Sequence, residues 1–223
     1  MISQIMAHIV SVANTKGGVG KSTLSGNLAW AFATHRTLQR RVLLVDSDTQ
    51  ASVTKWFDLA GDVPFDRTQL CTARVLQAQL PKLRKMHDLI IVDCPPMQSD
   101  VTAAAVAVSN LAIVPVQPSP LDVLAYSELV PLLRQAQAVN ENVRLRFVVN
   151  QLSSGTVLAR EVEESLADAE IPLCRTRIHD RQAYRRVVSK GQSVMQENGP
   201  ARDELVALAK EIAEALTTEG TTS

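Results

Sequence analysis

The chain lacks any run of about 18 uninterrupted apolar residues, the length a membrane-spanning helix needs. Its first residues also lack a basic segment followed by an apolar stretch and a cleavage site, so no secretory leader is expected. Cysteine is scarce. Cys71, Cys94 and Cys174 lie far apart and are odd in number, which argues against a disulfide framework or a zinc cluster and for reduced, mostly buried thiols. There is no charge excess either: 23 Lys and Arg balance 23 Asp and Glu, so overall charge points to neither nucleic acid nor membrane, and only local clustering could. No internal repeat, low-complexity tract or long linker interrupts the 223 residues. That length suits one α/β domain with a substantial core and is cramped for a second. The expectation is a cytosolic single domain, 1–223, with loose ends at 1–6 and 217–223.

What is present is an alternation of two periodicities. Ile9–Ala13, Val42–Val45, Leu89–Val92, Leu111–Val116 and Leu145–Val149 are nearly continuous in Val, Ile and Leu, as strands covered on both faces are. Between and after them, Lys21–Thr34, Val101–Ser109, Asp122–Val139, Thr156–Ala169 and Pro200–Leu216 repeat their apolar residues at helical spacing. This predicts a βαβ series: a mostly parallel twisted sheet with helices on both faces and right-handed crossovers. Ligands of such sheets bind at the carboxyl ends of the strands.

Residues 14–23 read Asn-Thr-Lys-Gly-Gly-Val-Gly-Lys-Ser-Thr. An ordinary phosphate-binding loop, G-x-x-x-x-G-K-[ST], wraps backbone N–H groups around phosphate oxygens and neutralises charge with its lysine. Here Thr15 replaces the first glycine, and a second lysine, Lys16, precedes Lys21 by five positions. The loop follows one strand and opens a helix at Lys21, so amides and helix N-terminus converge on one anion. Strand 42–45 runs into Asp46-Ser47-Asp48-Thr49-Gln50, whose two acids alternate and project to one side; they are either a cation-and-water site or solvated turn acids. Asp93 ends strand 89–92, where an acid can hold hydrated Mg²⁺ through water. No Ser-His-Asp or Cys-His set competes with these groups.

Lys16-Gly17-Gly18-Val19-Gly20-Lys21-Ser22-Thr23 resembles the deviant Walker A motif of ParA/MinD family P-loop ATPases, and the stretches 114–122 and 175–178 look most like short plasmid-partition members such as ParF. The resemblance implies ATP or ADP with Mg²⁺ as ligands. It implies that Lys21 contacts the β and γ phosphates, Ser22 binds Mg²⁺, Thr23 touches the α phosphate, and Lys16 reaches the phosphates of a partner copy; a surface lysine without a role is the alternative. By the same resemblance Asp46 helps organise the Mg²⁺ shell, Asp48 positions the attacking water, and Asp93 is the Walker B acid. Thr49 stands where the family has proline, which implies a less rigid switch loop and leaves the hydrolysis rate open. Asn150 matches an adenine-reading position or caps the following loop, and Gln151 replaces a frequent arginine. Cys94 lacks the second ligand that a shared iron–sulfur cluster would need.

Between residues 175 and 190, Arg175, Arg177, Arg181, Arg185, Arg186 and Lys190 face one acid in the sequence, Asp180. That is a plausible patch for phosphate backbones without sequence preference; solvated arginines or internal salt bridges are the alternative. The acidic C-terminal helix argues against the basic amphipathic membrane helix of MinD relatives, and a P-loop starting at residue 14 leaves no room before it for an operator-binding module. The expected function is a nucleoid-associated DNA-partition ATPase: an ATP-dependent homodimer that binds nonspecific DNA and is stimulated by a ParB-like centromere-binding partner. A nucleotide-gated scaffold with negligible turnover, or a positioning ATPase for another cargo such as a microcompartment, remains open.

Overall fold

The computed structural model describes residues 7–96, 100–118, 129–153, 166 and 170–217, with the backbone alone over 120–128. Its centre is a six-stranded parallel sheet of β1 (His8–Val12), β2 (Val42–Asp46), β3 (Asp66–Gln69), β4 (Leu89–Asp93), β5 (Leu111–Val116) and β6 (Arg144–Val149), in the order β3-β2-β4-β1-β5-β6. The five apolar runs are strands within a residue of their expected ends. β3 is an addition. Its residues, Asp-Arg-Thr-Gln, are mostly exposed at the sheet edge, so it carries no apolar signature, and its backbone pairing with β2 alone makes it a strand.

Alternation along the inner strands divides the core in two. Val10, Val12, Leu44, Ile91 and Ile113 pack with α1 (Lys21–Thr34), α2 (Ser52–Asp58) and the C-terminal helix (Pro200–Thr217). Ile9, Leu43, Ile90, Val92 and Val114 pack with α3 (Ala73–Leu83), α4 (Asp100–Ala107) and α5 (Pro120–Val139). Both faces are therefore dry, which is why these strands read as continuous apolar runs. Of the expected helix Thr156–Ala169, only Leu166, buried, is among the described residues. Thr217, expected in the loose tail, ends the C-terminal helix and hydrogen-bonds Ala213 and Glu214.

Register brings the chemistry together. β1 pairs with β4 so that Val12 lies opposite Asp93, and β2 pairs with β4 so that Asp46 lies opposite Asp93. The carboxyl ends of three adjacent strands thus finish level, below the loop that leaves β1.

Candidate functional site

The loop from Asn14 to Gly20 is held open by amide side chains. Asn14 Nδ2 donates to Pro115 O (2.7 Å), and its Oδ1 accepts from Lys16 N (2.9 Å). From the end of β6, Asn150 Nδ2 donates to Val19 O (2.7 Å) and Gln151 Nε2 to Gly18 O (3.0 Å). Gln117, after β5, donates to Gly18 O at 3.4 Å and also to Gln151 Oε1. With the Gly18 and Val19 carbonyls tied to these side chains, the amides after Lys16 can turn to an anion, the arrangement of a phosphate nest.

Gly20 must be glycine twice over: its φ is +89°, and an added Cβ would stand 2.3 Å from Asn150 Nδ2. Gly17 differs, because its φ is not left-handed and an added Cβ would meet nothing within 4 Å. Among the described residues nothing demands glycine there, so the free space fits something arriving from outside.

Gly20 is followed directly by α1, whose N-terminus has no side-chain cap and no acid in its first turn. Its orphan N–H groups and the positive end of its dipole face the loop. By contrast α3 is capped conventionally, Val75 N donating to the Thr72 side chain. Lys21, buried, donates from Nζ to Lys16 O (2.8 Å). Burial lowers its pKa, with nearby Asp93 pulling the other way.

Asp93 is fully buried, and burial pushes its carboxyl up to about 7, partly offset by the Ser22 hydroxyl, while Asp46 adds to the rise. Ser25 Oγ donates to Oδ1 (3.1 Å); Oδ2 has no hydrogen-bond partner. An orphaned buried carboxylate oxygen beside a lysine and a serine fits a hydrated divalent cation. Asp93 and the Ser22 hydroxyl would hold it, and the cation would supply charge neutralisation for a polyphosphate. No cluster of three or more His, Cys, Asp or Glu able to hold a metal occurs among the described residues.

Asp46 has another occupation. Its Oδ1 accepts from Asp48 N (3.1 Å), and its Oδ2 accepts from both Thr54 N (3.0 Å) and Thr54 Oγ1 (2.7 Å), so the carboxylate ties the turn after β2 to α2. Asp48 Oδ1 accepts from Gln50 N (2.9 Å). These bonds brace the turn that carries Thr49. Thr54 and Ser25 were unmarked in the sequence, since isolated hydroxyls carry no pattern; Gln117 lay in a stretch noted only for resemblance.

Asn150 is turned toward the loop carbonyl and is buried, so its Nδ2 braces the loop. Beyond it lies a cavity of about 350 Å³ lined by Gly20, Thr23, Asn150, His179, Arg181 and Tyr184 among others. This cavity adjoins the start of α1, where the remainder of a phosphate-bearing ligand would extend.

The basic segment is not the free patch that a count along the chain implies. Asp180 pairs with Arg185 (2.7 Å), Glu197 with Arg186, Glu204 with Arg181, and Glu214 with Arg175 (2.9 Å), Glu211 also lying near Arg175. Arg177 donates to the backbone carbonyls of Cys174 and Arg175. All but one of these acids come from residues 197–214, too distant in sequence to be counted. Arg181 also lines the cavity, and its side chain is 32% exposed. The side chains of Arg175, Arg185 and Arg186 remain 78%, 70% and 53% exposed, and Lys190 is exposed.

A family model described as the CobQ/CobB/MinD/ParA nucleotide binding domain matches residues 10–194. The chain belongs to this family. Two similar relatives are both called Maintenance of carboxysome distribution protein A. One, from Gloeobacter kilaueensis, is 32% identical over 213 residues and covers 94% of each chain; the other, from Halothiobacillus neapolitanus, is 29% identical over 212 residues, covering 92% of this chain and 96% of that one. Among solved structures, the septum site-determining protein MinD of Pyrococcus horikoshii OT3, complexed with Mg-ADP, superposes with a TM-score of 0.77 at 19% identity, covering 97% of this chain and 100% of the other. The fold is thus that of the MinD/ParA proteins.

Two other expectations concern this family's variations. Cys94 is buried and its thiol pKa is raised, first by burial and then by Asp93, as befits an inert core thiol. No helix among the described residues is long and apolar enough to cross a membrane, and the apolar face of the C-terminal helix, Leu205, Leu208, Ala209 and Ile212, is buried in the core.

Proposed function

We propose that this chain is a Mg²⁺-dependent ATPase that pairs with a second copy of itself while a triphosphate is bound, holds nonspecific DNA, and lets go when a partner protein stimulates hydrolysis. The observation that carries the reading is the partnerless Asp93 oxygen beneath an uncapped helix N-terminus and a loop whose Gly18 and Val19 carbonyls are tied to side chains. Such a set provides positioning and charge neutralisation, which phosphoryl transfer needs more than covalent chemistry. In this reading Lys21 neutralises the β and γ phosphates, Ser22 and Asp93 hold the hydrated cation, Thr23 touches the α phosphate, and Asp48 orients the attacking water. Asp46 acts at one remove, by fixing the turn that carries Asp48.

Lys16 reaches across to the partner copy's phosphates. The unfilled space around Gly17 supports an approach from outside at this point. A bridge of this kind exists only while the terminal phosphoryl group is present, so hydrolysis removes a charge-assisted contact and opens the pair.

The DNA surface in this reading is Arg175, Arg185, Arg186 and Lys190. Exposed ion pairs are worth little, so their carboxylates are readily exchanged for DNA phosphates, whereas the more enclosed Arg181 stays with Glu204. As for cargo, relatives matching over nine-tenths of this chain are named for carboxysome distribution. That favours a protein assembly and its adaptor over a centromere with a ParB-like protein. The test is phosphate release by the purified chain with Mg-ATP, alone and with random duplex DNA and candidate adaptors. Stimulation by DNA and an adaptor supports the reading; turnover absent under every condition, with ATP-dependent pairing intact, would favour the gated scaffold instead.

A further inference from the structure

One wall of the cavity beside the loop is held by a carboxylate from a distant part of the chain. Residues 178–181 run alongside the end of β6: Ile178 N donates to Val149 O, Leu152 N to Ile178 O, and Asp180 N to Leu152 O. These bonds hold one edge of the segment. Its other edge is held by Glu204 of the C-terminal helix. Glu204 Oε1 accepts from His179 Nδ1 (2.8 Å) and Arg181 Nε (3.2 Å), and Oε2 accepts from His179 N (3.2 Å). The Glu204 side chain is only 15% exposed. Tyr184, which also lines the cavity, donates its hydroxyl to Ala201 O (3.2 Å), one turn earlier on the same helix.

We propose that Glu204 is a positioning residue for the nucleoside end of the bound nucleotide: by gripping His179 and Arg181 it sets the shape of the cavity wall that the nucleoside meets. The inference rests on the nucleotide-site reading above, because the cavity adjoins Gly20 and Thr23. Glu204 lines no part of the phosphate nest, so its influence falls on the nucleoside and not on the polyphosphate. Without it, the His179 N–H loses its acceptor and Arg181 its counter-charge. Both side chains would then have to be ordered by the ligand at the expense of affinity.

The experiment compares two probes on the full chain, ATP and inorganic tripolyphosphate, each titrated with Mg²⁺ by calorimetry. Glu204→Ala is expected to weaken ATP by about tenfold, corresponding to two side chains left unordered, while changing tripolyphosphate affinity by less than about twofold. Unchanged tripolyphosphate binding also shows that the variant has folded. Glu204→Gln, which keeps the volume and one acceptor, is expected to fall between wild type and Glu204→Ala for ATP. Equal affinity for ATP in all three proteins, or parallel loss of both probes in both variants, would overturn the role assigned to Glu204. A wild-type chain that binds neither probe would overturn the nucleotide reading itself.

Discussion

The loop region and the basic segment are both rich in charge, yet the chain treats them oppositely. Around the loop, burial leaves Lys21 with a lowered pKa, Asp93 with a raised one, and an Asp93 oxygen without a partner. Along 175–186, four of the arginines are matched by carboxylates of the same chain. A region that holds buried charge without full satisfaction is organised for something not yet there. One that satisfies its own charges at the surface is organised first for the fold. Charge counted along the sequence therefore overstates the second region and says nothing about the strain of the first.

The largest expected effect breaks the loop side of this contrast. Lys21→Ala removes the buried cation, and affinity for ATP measured by calorimetry should fall roughly 100-fold, the range of a lost charge-assisted bond. Next comes Asp93→Asn, which sharpens the contrast by separating stability from function. An amide of the same shape needs no counter-charge, so the ligand-free protein should gain on the order of 1 kcal/mol in denaturant unfolding. The Mg²⁺ dependence of ATP binding should meanwhile largely disappear. Loss of stability in that variant would mean the carboxylate is already satisfied.

A smaller effect tests the self-satisfied region by pH. Burial alone would raise the pKa of Glu204, but hydrogen bonds from Arg181 and His179 outweigh it and leave the carboxyl below its ordinary value. A depressed folded pKa contributes stability above the unfolded value of about 4.3 and loses it as pH falls through the folded one. Wild type should therefore exceed Glu204→Gln in thermal stability near neutrality, the gap closing below about pH 4. The smallest effect concerns DNA: Arg185→Ala and Arg186→Ala should each reduce the slope of log affinity against log salt by about 1, while Arg181→Ala leaves that slope unaltered. An equal slope in all three would move the DNA surface elsewhere.

Much of this arrangement was legible beforehand where burial dictates residue type. The four inner strands and the edge strand β6 are apolar because both sheet faces are covered, and the loop announces itself through glycines and lysines at fixed spacing. β3 was not legible, because an edge strand of Asp66, Arg67, Thr68 and Gln69 owes its conformation to β2 and not to its side chains. The short α2 starts from Ala51 in the left-handed region with no side-chain cap, leaving no mark at its start. For α3 there was a signal, Thr72 as cap with Leu76 and Leu80 buried one turn apart, obscured by Pro81 in its last turn. The roles of Asp46 as a brace for Thr54 and of Asn150 as a brace for Val19 depend on which way a side chain turns, which residue identity does not encode.

The central claim is that Lys16 serves the partner copy's phosphates, and mixing two inactive variants tests it most directly. In a heterodimer of Lys16→Ala and Asp48→Ala, action across the interface leaves one site with an intact Asp48 and an intact Lys16 and puts both lesions in the other. Phosphate release should then return to about a quarter of the wild-type rate in an equimolar mixture, where half the dimers are mixed and each has one working site. If Lys16 served only its own chain, both sites of the mixed dimer would stay defective, and a mixture as inactive as its components would contradict the account.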